Sequence, residues 1–266
     1  MARHIANKDF GQHFLVDENI LRVIERLADL APEDVVLEIG PGLGALTVYL
    51  AARVARVHAV ELDHKLEQPL AVALAPHPNA TVIYGDALRL DLAALQPAPG
   101  KLVANLPYNV ATPIVVESLD GLPSVQSWCV MVQREVADRF FAVPGTKAYG
   151  AVSVLIRLAS ERTGFHPVSR EVFRPRPNVE SALVAFHRAT PLPADWRRVK
   201  RVVEGAFAHR RKTLPNSLEL SGVASRAAAV AALDVVGLRP EVRAEVLDPE
   251  EFLALDQALA AAAAAL

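Results

Sequence analysis

The chain of 266 residues has a single cysteine, Cys129, set in the apolar run Trp128-Cys129-Val130-Met131-Val132. One thiol makes no intrachain disulfide, and a chain this long needs none to stabilise its core. A reducing, cytoplasmic protein is therefore expected. No apolar stretch follows Arg3, Lys8 and Asp9, which argues against a secretory signal. The alanine-rich tail ending at Leu266 is too short to span a bilayer and reads as the end of a helix, so no membrane partner is expected. His4, His58, His64, His77, His166, His187 and His209 are scattered without metal-ligand spacing, so no metal is expected either. Internal repeats are lacking, and so is an excess of one charge. A formal net charge of −2, averaged over the chain, speaks against nucleic acid.

The average hides a segregation. Between Thr190 and Arg226 eight basic residues, Arg210, Arg211 and Lys212 among them, face three acidic ones. Between Asp234 and Asp256 seven acidic residues face two arginines. Such a layout suits a basic contact face with an acidic back. With 52% hydrophobic and 22% charged residues, a packed globular core is expected.

Short apolar strands alternate with helical patterns along the first half. Asp17 caps a helix to about Leu30, and Val35–Ile39 is a strand that enters Gly40-Pro41-Gly42-Leu43-Gly44. Helix, strand (57–61), helix and strand (81–84) follow, then strands at 101–104 and 127–132 and a charged helix from about Glu135. This order predicts a doubly wound, mostly parallel α/β sheet of the Rossmann-like kind, with ligands beyond the carboxyl ends of the strands. Residues 150–160 and 181–187 are expected to close the sheet. Ala189–Pro193 reads as a linker, beyond which only helical patterns remain. The domains are thus 1–189, catalytic, and 190–266, small and all-helical. Asp248, Pro249 and Glu251 mark the start of the last helix.

Gly40-Pro41-Gly42-Leu43-Gly44-Ala45 follows a strand and opens a helix, so its backbone can turn tightly against a ligand. Taken alone it also fits a dinucleotide fingerprint, with Glu61 at the distance suited to ribose hydroxyls. Three features favour S-adenosylmethionine. Glu38 is unhelpful beside a pyrophosphate but tolerable near a sulfonium and an amino group. Asp86 ends a strand where it can accept from an adenine amine. A dehydrogenase, finally, has no use for Asn105-Leu106-Pro107-Tyr108. The lone pair of the adenine amine is delocalised into the ring, which makes it a poor nucleophile. Two acceptors, the Asn105 side-chain oxygen and the Pro107 carbonyl, would draw the nitrogen toward tetrahedral geometry, with Tyr108 stacking on the base. Methyl transfer from a sulfonium neutralises charge, so positioning carries the catalysis and no histidine base is required.

Further pieces accompany these: Gly11-Gln12-His13-Phe14-Leu15, Glu61-Leu62-Asp63, Gly85-Asp86-Ala87, a run from Val172-Phe173-Arg174-Pro175-Arg176-Pro177-Asn178 to Ser181, and Ala206–Leu214. With them the chain resembles, over essentially its whole length, the small-subunit ribosomal RNA adenine dimethyltransferases of the KsgA type. The resemblance implies a Rossmann-like class I methyltransferase domain with a small helical domain behind it. It implies N6-dimethylation of two adjacent adenosines in a hairpin loop near the 3′ end of 16S rRNA, on a small-subunit precursor. S-adenosylmethionine is the implied cofactor and S-adenosylhomocysteine its product. By position, His13, Leu15, Gly40, Glu61, Asp86 and Asn105 would line the cofactor pocket, together with Glu38, Gly42 and Ala87. Tyr108 and Phe173 would sandwich a flipped base. Arg174, Arg176, Arg210, Arg211 and Lys212 are the expected RNA contacts, and a monomer is expected. His13 and Pro215 depart from the residues common in the family, asparagine and a basic residue.

Two other functions fit much of the same pattern. One is a large-subunit adenine methyltransferase of the erythromycin-resistance type, against which Leu106 and the Ala206–Leu214 segment speak. The other is a non-catalytic RNA-binding assembly factor, against which the intact Asn105–Tyr108 speaks.

Overall fold

A computed structural model describes residues 13–189 and 191–264. The expectations for Arg3, Lys8, Gly11, Gln12 and Thr190 lie outside the described residues. In chain order, β1 (Phe14–Leu15) leads to α1 (Glu18–Leu27), β2 (Val35–Ile39), α2 (Ala45–Ala51), β3 (Arg56–Glu61), α3 (Glu67–Leu74), β4 (Ala80–Tyr84) and β5 (Lys101–Asn105). Then come α4 (Ala111–Gly121), β6 (Ser127–Gln133), α5 (Arg134–Phe140), α6 (Ala151–Ala159), β7 (Ser160–Val168), β8 (Phe173–Arg174) and β9 (Ser181–Arg188). Helices α7 (Trp196–Ala208), α8 (Leu214–Leu220), α9 (Arg226–Val235) and α10 (Pro249–Ala264) follow. No described helix is long and apolar enough to cross a membrane.

Seven strands form one sheet in the order β4-β3-β2-β5-β6-β9-β7. Strands β2 to β6 pair in parallel, whereas β9 runs antiparallel to β6. The chain winds outward from β2 to β4, then returns to lay β5 on the other side of β2. That reversal opens a crevice beyond the carboxyl ends of β2 and β5, where ligands bind in such sheets.

Strand β6 shows why these residues make a central strand. It is apolar on both faces, as a strand covered by helices on both sides must be. Cys129 and Met131 join the core under α1, with Ile20, Ile24, Val36, Val103 and Phe173. Trp128 faces the other way. Its indole donates to Ser118 Oγ of α4 at 2.9 Å and stacks on Phe186 of β9, with centroids 5.1 Å apart. Asp17 caps α1 as expected, accepting from Asn19 N and Ile20 N.

The described residues divide into two compact units, 13–137 with 161–188, and 138–160 with 189 and 191–264. A single cut at 189/190 therefore misplaces 138–160, since this segment packs with the C-terminal helices. In that second unit Tyr149 donates to the Leu247 carbonyl and meets Phe207 edge-on. Arg198 holds buried Asp256 with two bonds of 2.8 Å. The predicted start of the last helix is present: Glu251 N donates to Asp248 Oδ1, and Asp248 N to Glu251 Oε2.

One expected strand is a helix. Ala151–Ala159 of this segment form α6, entered where Ser153 Oγ accepts from Gly150 N. A short apolar run such as Val152–Leu158 does not distinguish strand from helix by pattern alone. The sheet is closed instead by β7, whose exposed Glu161, Arg162 and Thr163 and whose Pro167 resemble a loop in sequence. An edge strand tolerates such residues because one side of it is unpaired.

Candidate active site

Each parallel strand that ends at the crevice delivers one functional group. The loop after β2 turns through Gly40 and Gly42 with φ of +78° and +59°. A Cβ on Gly42 would lie 2.9 Å from the Phe14 ring, and one on Gly40 would lie 3.2 Å from Pro107 Cδ. The loop is thus glycine for two reasons, its left-handed turns and its seat between the N-terminal segment and the tetrapeptide after β5.

Glu61, ending β3, holds this loop. Its Oε2 accepts from Gly42 N at 3.1 Å and its Oε1 from Asp63 N at 2.9 Å. Burial raises its pKa, and the amide donors pull it back. Asp86, beyond β4, is partly exposed, with Oδ1 accepting from Leu88 N and Oδ2 beside Arg89. Glu38 on β2 is only 1% exposed, and its Oε2 has no partner among the described residues. Burial pushes Glu38 up to about 8, opposed in part by the Thr47 hydroxyl beside it and reinforced by the Glu61 carboxylate. The pocket therefore contains an acid that is largely neutral at pH 7 until something cationic or donating reaches it.

The tetrapeptide is held from three sides. Asn105 Nδ2 donates to the His13 carbonyl at 3.2 Å, which leaves Oδ1 as an acceptor without a partner among the described residues. His13 Nδ1 donates to the Pro175 carbonyl at 2.8 Å, and its ring lies 5.6 Å from that of Tyr108. Leu106 is buried and its N–H pairs with the Met131 carbonyl, which makes it an anchor to β6. Pro107 O accepts from Val110 N at 3.1 Å, so one of its two lone pairs remains for a substrate. The Tyr108 hydroxyl meets Ser181 Oγ at 2.5 Å.

One cavity of about 210 Å³ gathers His13, Leu15, Glu38, Gly40, Gly42, Glu61, Asp86, Ala87 and all four residues Asn105–Tyr108. The glycine cradle, the Glu38 oxygen without a partner among the described residues and the partly exposed Asp86 carboxylate suit a ligand that carries both a cation and an adenine. Phe173 is not among the lining residues. It is 0% exposed, in β8 opposite Leu15 of β1, and belongs to the core. As placed it is an anchor and offers no face to a base, which corrects the expected sandwich. Of the basic residues, Arg176 pairs with Glu171 at 2.6 Å and Arg174 donates to the carbonyls of Glu171 and Phe173. Arg210 donates to the Tyr149 carbonyl and lies 3.6 Å from Glu245. Arg211 and Lys212 are exposed in the turn between α7 and α8 rather than on a helix face. Thr47 and Ser181 were not anticipated at the site. Both are small hydroxyl residues in apolar runs, a pattern that marks a buried hydrogen bond but not its partner.

The doubly wound sheet with an antiparallel β9 beside β6, and a glycine loop facing an Asn-Leu-Pro-Tyr turn, define a class I methyltransferase. The fold is that of a dimethyladenosine transferase from Plasmodium falciparum, with a TM-score of 0.76, 24% identity and coverage of 91% of this chain and 96% of that one. The 23S rRNA methyltransferase ErmE matches with a TM-score of 0.65 and 30% identity over 93% of this chain and 99% of its own. A family model for ribosomal RNA adenine dimethylase matches residues 3–260, and the chain belongs to that family. Ribosomal RNA small subunit methyltransferase A of Rubrobacter xylanophilus is 48% identical over 248 residues, 93% of each chain. The protein of the same name from Lactiplantibacillus plantarum is 44% identical over 266 residues, 95% of this chain and 89% of its own.

Proposed function

We propose that this chain dimethylates the N6 amines of two adjacent adenosines in a hairpin loop near the 3′ end of 16S rRNA, on a small-subunit precursor. One observation carries the chemical reading: Asn105 gives its amide nitrogen to the His13 carbonyl and so keeps its oxygen for a substrate amine. Full-length similarity above 40% to small-subunit methyltransferases, against 30% to ErmE, favours the small subunit over the large.

The glycine loop, Glu61 and Asp86 would hold S-adenosylmethionine, with Glu38 beside its charged part and His13, Leu15 and Ala87 along its sides. That cofactor supplies an electrophilic methyl group on a sulfonium. The chain's own part is to aim the amine. Asn105 Oδ1 and the free lone pair of Pro107 O accept the two N–H bonds, which localises the nitrogen lone pair. Tyr108 covers one face of the base. No carboxylate is needed as base, because the alkylated amine is acidic and releases its proton to water. A neutral amide also tolerates a methyl in place of one N–H better than a carboxylate would, which suits a second transfer. Arg211 and Lys212 would meet RNA phosphates. The protein acts in the cytoplasm as a monomer.

Incubation with labelled S-adenosylmethionine and unmethylated small or large subunits, followed by mapping of the modified nucleotide, tests this reading. Dimethyladenosine confined to the small subunit is expected. Label in the large subunit alone would overturn the assignment, and monomethyladenosine as the sole product would overturn the second transfer.

A further inference from the structure

We propose that Ser181 is a positioning residue for methyl transfer, its hydroxyl holding the Tyr108 ring in the plane that receives the target base. The inference rests on the stacking role given to Tyr108 above. Ser181 opens β9, in register with Gln133 of β6, and is 0% exposed. Its Oγ lies 2.5 Å from the Tyr108 hydroxyl.

A tyrosine side chain turns about two torsions, and the second is soft. Tyr108 stands in the turn that follows β5, closed by Val110 N on Pro107 O, and a turn backbone narrows the first torsion but leaves the second open. A bond at the far end of the ring constrains both. Since that bond comes from a strand in the sheet, the ring inherits the rigidity of β9 rather than the freedom of a loop. His13 borders the ring at 5.6 Å with a 33° tilt, so a second neighbour limits its swing.

The residue type supports the same conclusion. Ala182, Leu183, Val184, Ala185 and Phe186 of β9 are all buried and apolar. A hydroxyl among them is costly unless it is paired, and the Tyr108 phenol is a partner that reaches it. Burial raises the phenol pKa, which keeps the group protonated and able to donate.

Turnover on unmethylated small subunits should be measured per cofactor site, counted by calorimetric titration with S-adenosylhomocysteine. Ser181→Ala is expected to lower kcat about tenfold while the subunit KM stays within about twofold, because positioning acts on the reacting geometry and not on RNA anchoring. Tyr108→Phe should give a similar loss, and the double variant should be no worse than either single one, as for two ends of one interaction. Wild-type kcat per site in Ser181→Ala would overturn the proposal. So would an undiminished further loss when Ser181→Ala is added to Tyr108→Phe, which is what a purely structural serine gives. If Tyr108→Ala itself turns over normally, the stacking reading fails and this inference with it. If Tyr108→Ala is inactive while Ser181→Ala is normal, only the positioning role is overturned.

Discussion

The strand ends of the sheet and the turn between α7 and α8 are both polar, but they keep their polar groups in opposite ways. At the strand ends Glu61, Asn105 and His13 are tied to backbone groups and Tyr108 to the Ser181 hydroxyl. In the turn Arg211 and Lys212 are exposed, and among the described residues only Arg210 is held, by the Tyr149 carbonyl and Glu245. The first region is preorganised, so removing one group leaves its partner unsatisfied and misplaces the rest. Charge alone is what the second region offers, and charge on a surface acts through counterions and salt. Changes in the first should therefore appear in turnover or stability, and changes in the second in salt-dependent affinity.

Phe173→Ala gives the largest expected effect and probes where the first region ends. A fully buried ring in the core should cost about 3–5 kcal/mol of stability on truncation, read as a fall in Tm. A variant with parental Tm but little turnover would return Phe173 to the base-stacking role. Asn105→Ala comes next. Removing one preorganised acceptor from the reacting group should lower turnover about 10²–10³-fold, with affinity for S-adenosylhomocysteine nearly unchanged. Near-parental turnover would show that the acceptor lies elsewhere.

In the second region, Arg211→Glu with Lys212→Glu should weaken subunit binding and flatten its salt dependence by roughly 0.7–0.9 log units of slope for each RNA phosphate that is no longer neutralised. Cofactor affinity should stay within about twofold, since every residue lining the cavity belongs to the first unit. Arg210 is left out because its removal would also disturb the packing at Tyr149. An unaltered salt slope would make this turn merely solvated. The smallest effect belongs to Glu38→Gln in the cofactor-free protein. Burial raises the Glu38 pKa from 4.5 to about 8, so between those values the folded state holds a proton that the unfolded state has released. Stability from this group is full below the lower value and declines as pH rises through the upper one. The glutamine variant should gain on the parent by on the order of 1–3 kcal/mol between about pH 5 and pH 8.5 in denaturant titrations. A gain independent of pH would mean that Glu38 is already ionised in the fold.

The parallel strands were legible because each is a short apolar run that ends in a residue with chemistry: Ile39 before Gly40, Val60 before Glu61, Tyr84 before Gly85-Asp86, Ala104 before Asn105. Period and punctuation are local properties, and they carried the fold class and the groups at the strand ends, whereas His13, Leu15 and Ala87 were expected only from the family resemblance. The end of the sheet was less legible. Apolar Val152–Leu158 became a helix and polar Ser160–Val168 a strand, because helix packing and edge position overrode local pattern.

Motif chemistry and its spacing along the chain were thus determined by the sequence itself: a glycine turn that suits a cofactor, two acceptors that suit an amine and a cluster of cations that suits RNA in the function proposed. Only the tertiary structure decided which of those groups are free to act. Phe173 and Arg210 carry the residue types expected of ligand-binding groups, yet the fold engages one in the core and the other on a carbonyl. Asn105 and Tyr108 acquire their orientation from His13 and Ser181, which lie 92 and 73 positions away in the chain. Hydrogen bonds between such positions depend on how the strands are ordered in the sheet, and no local pattern of residues encodes that order.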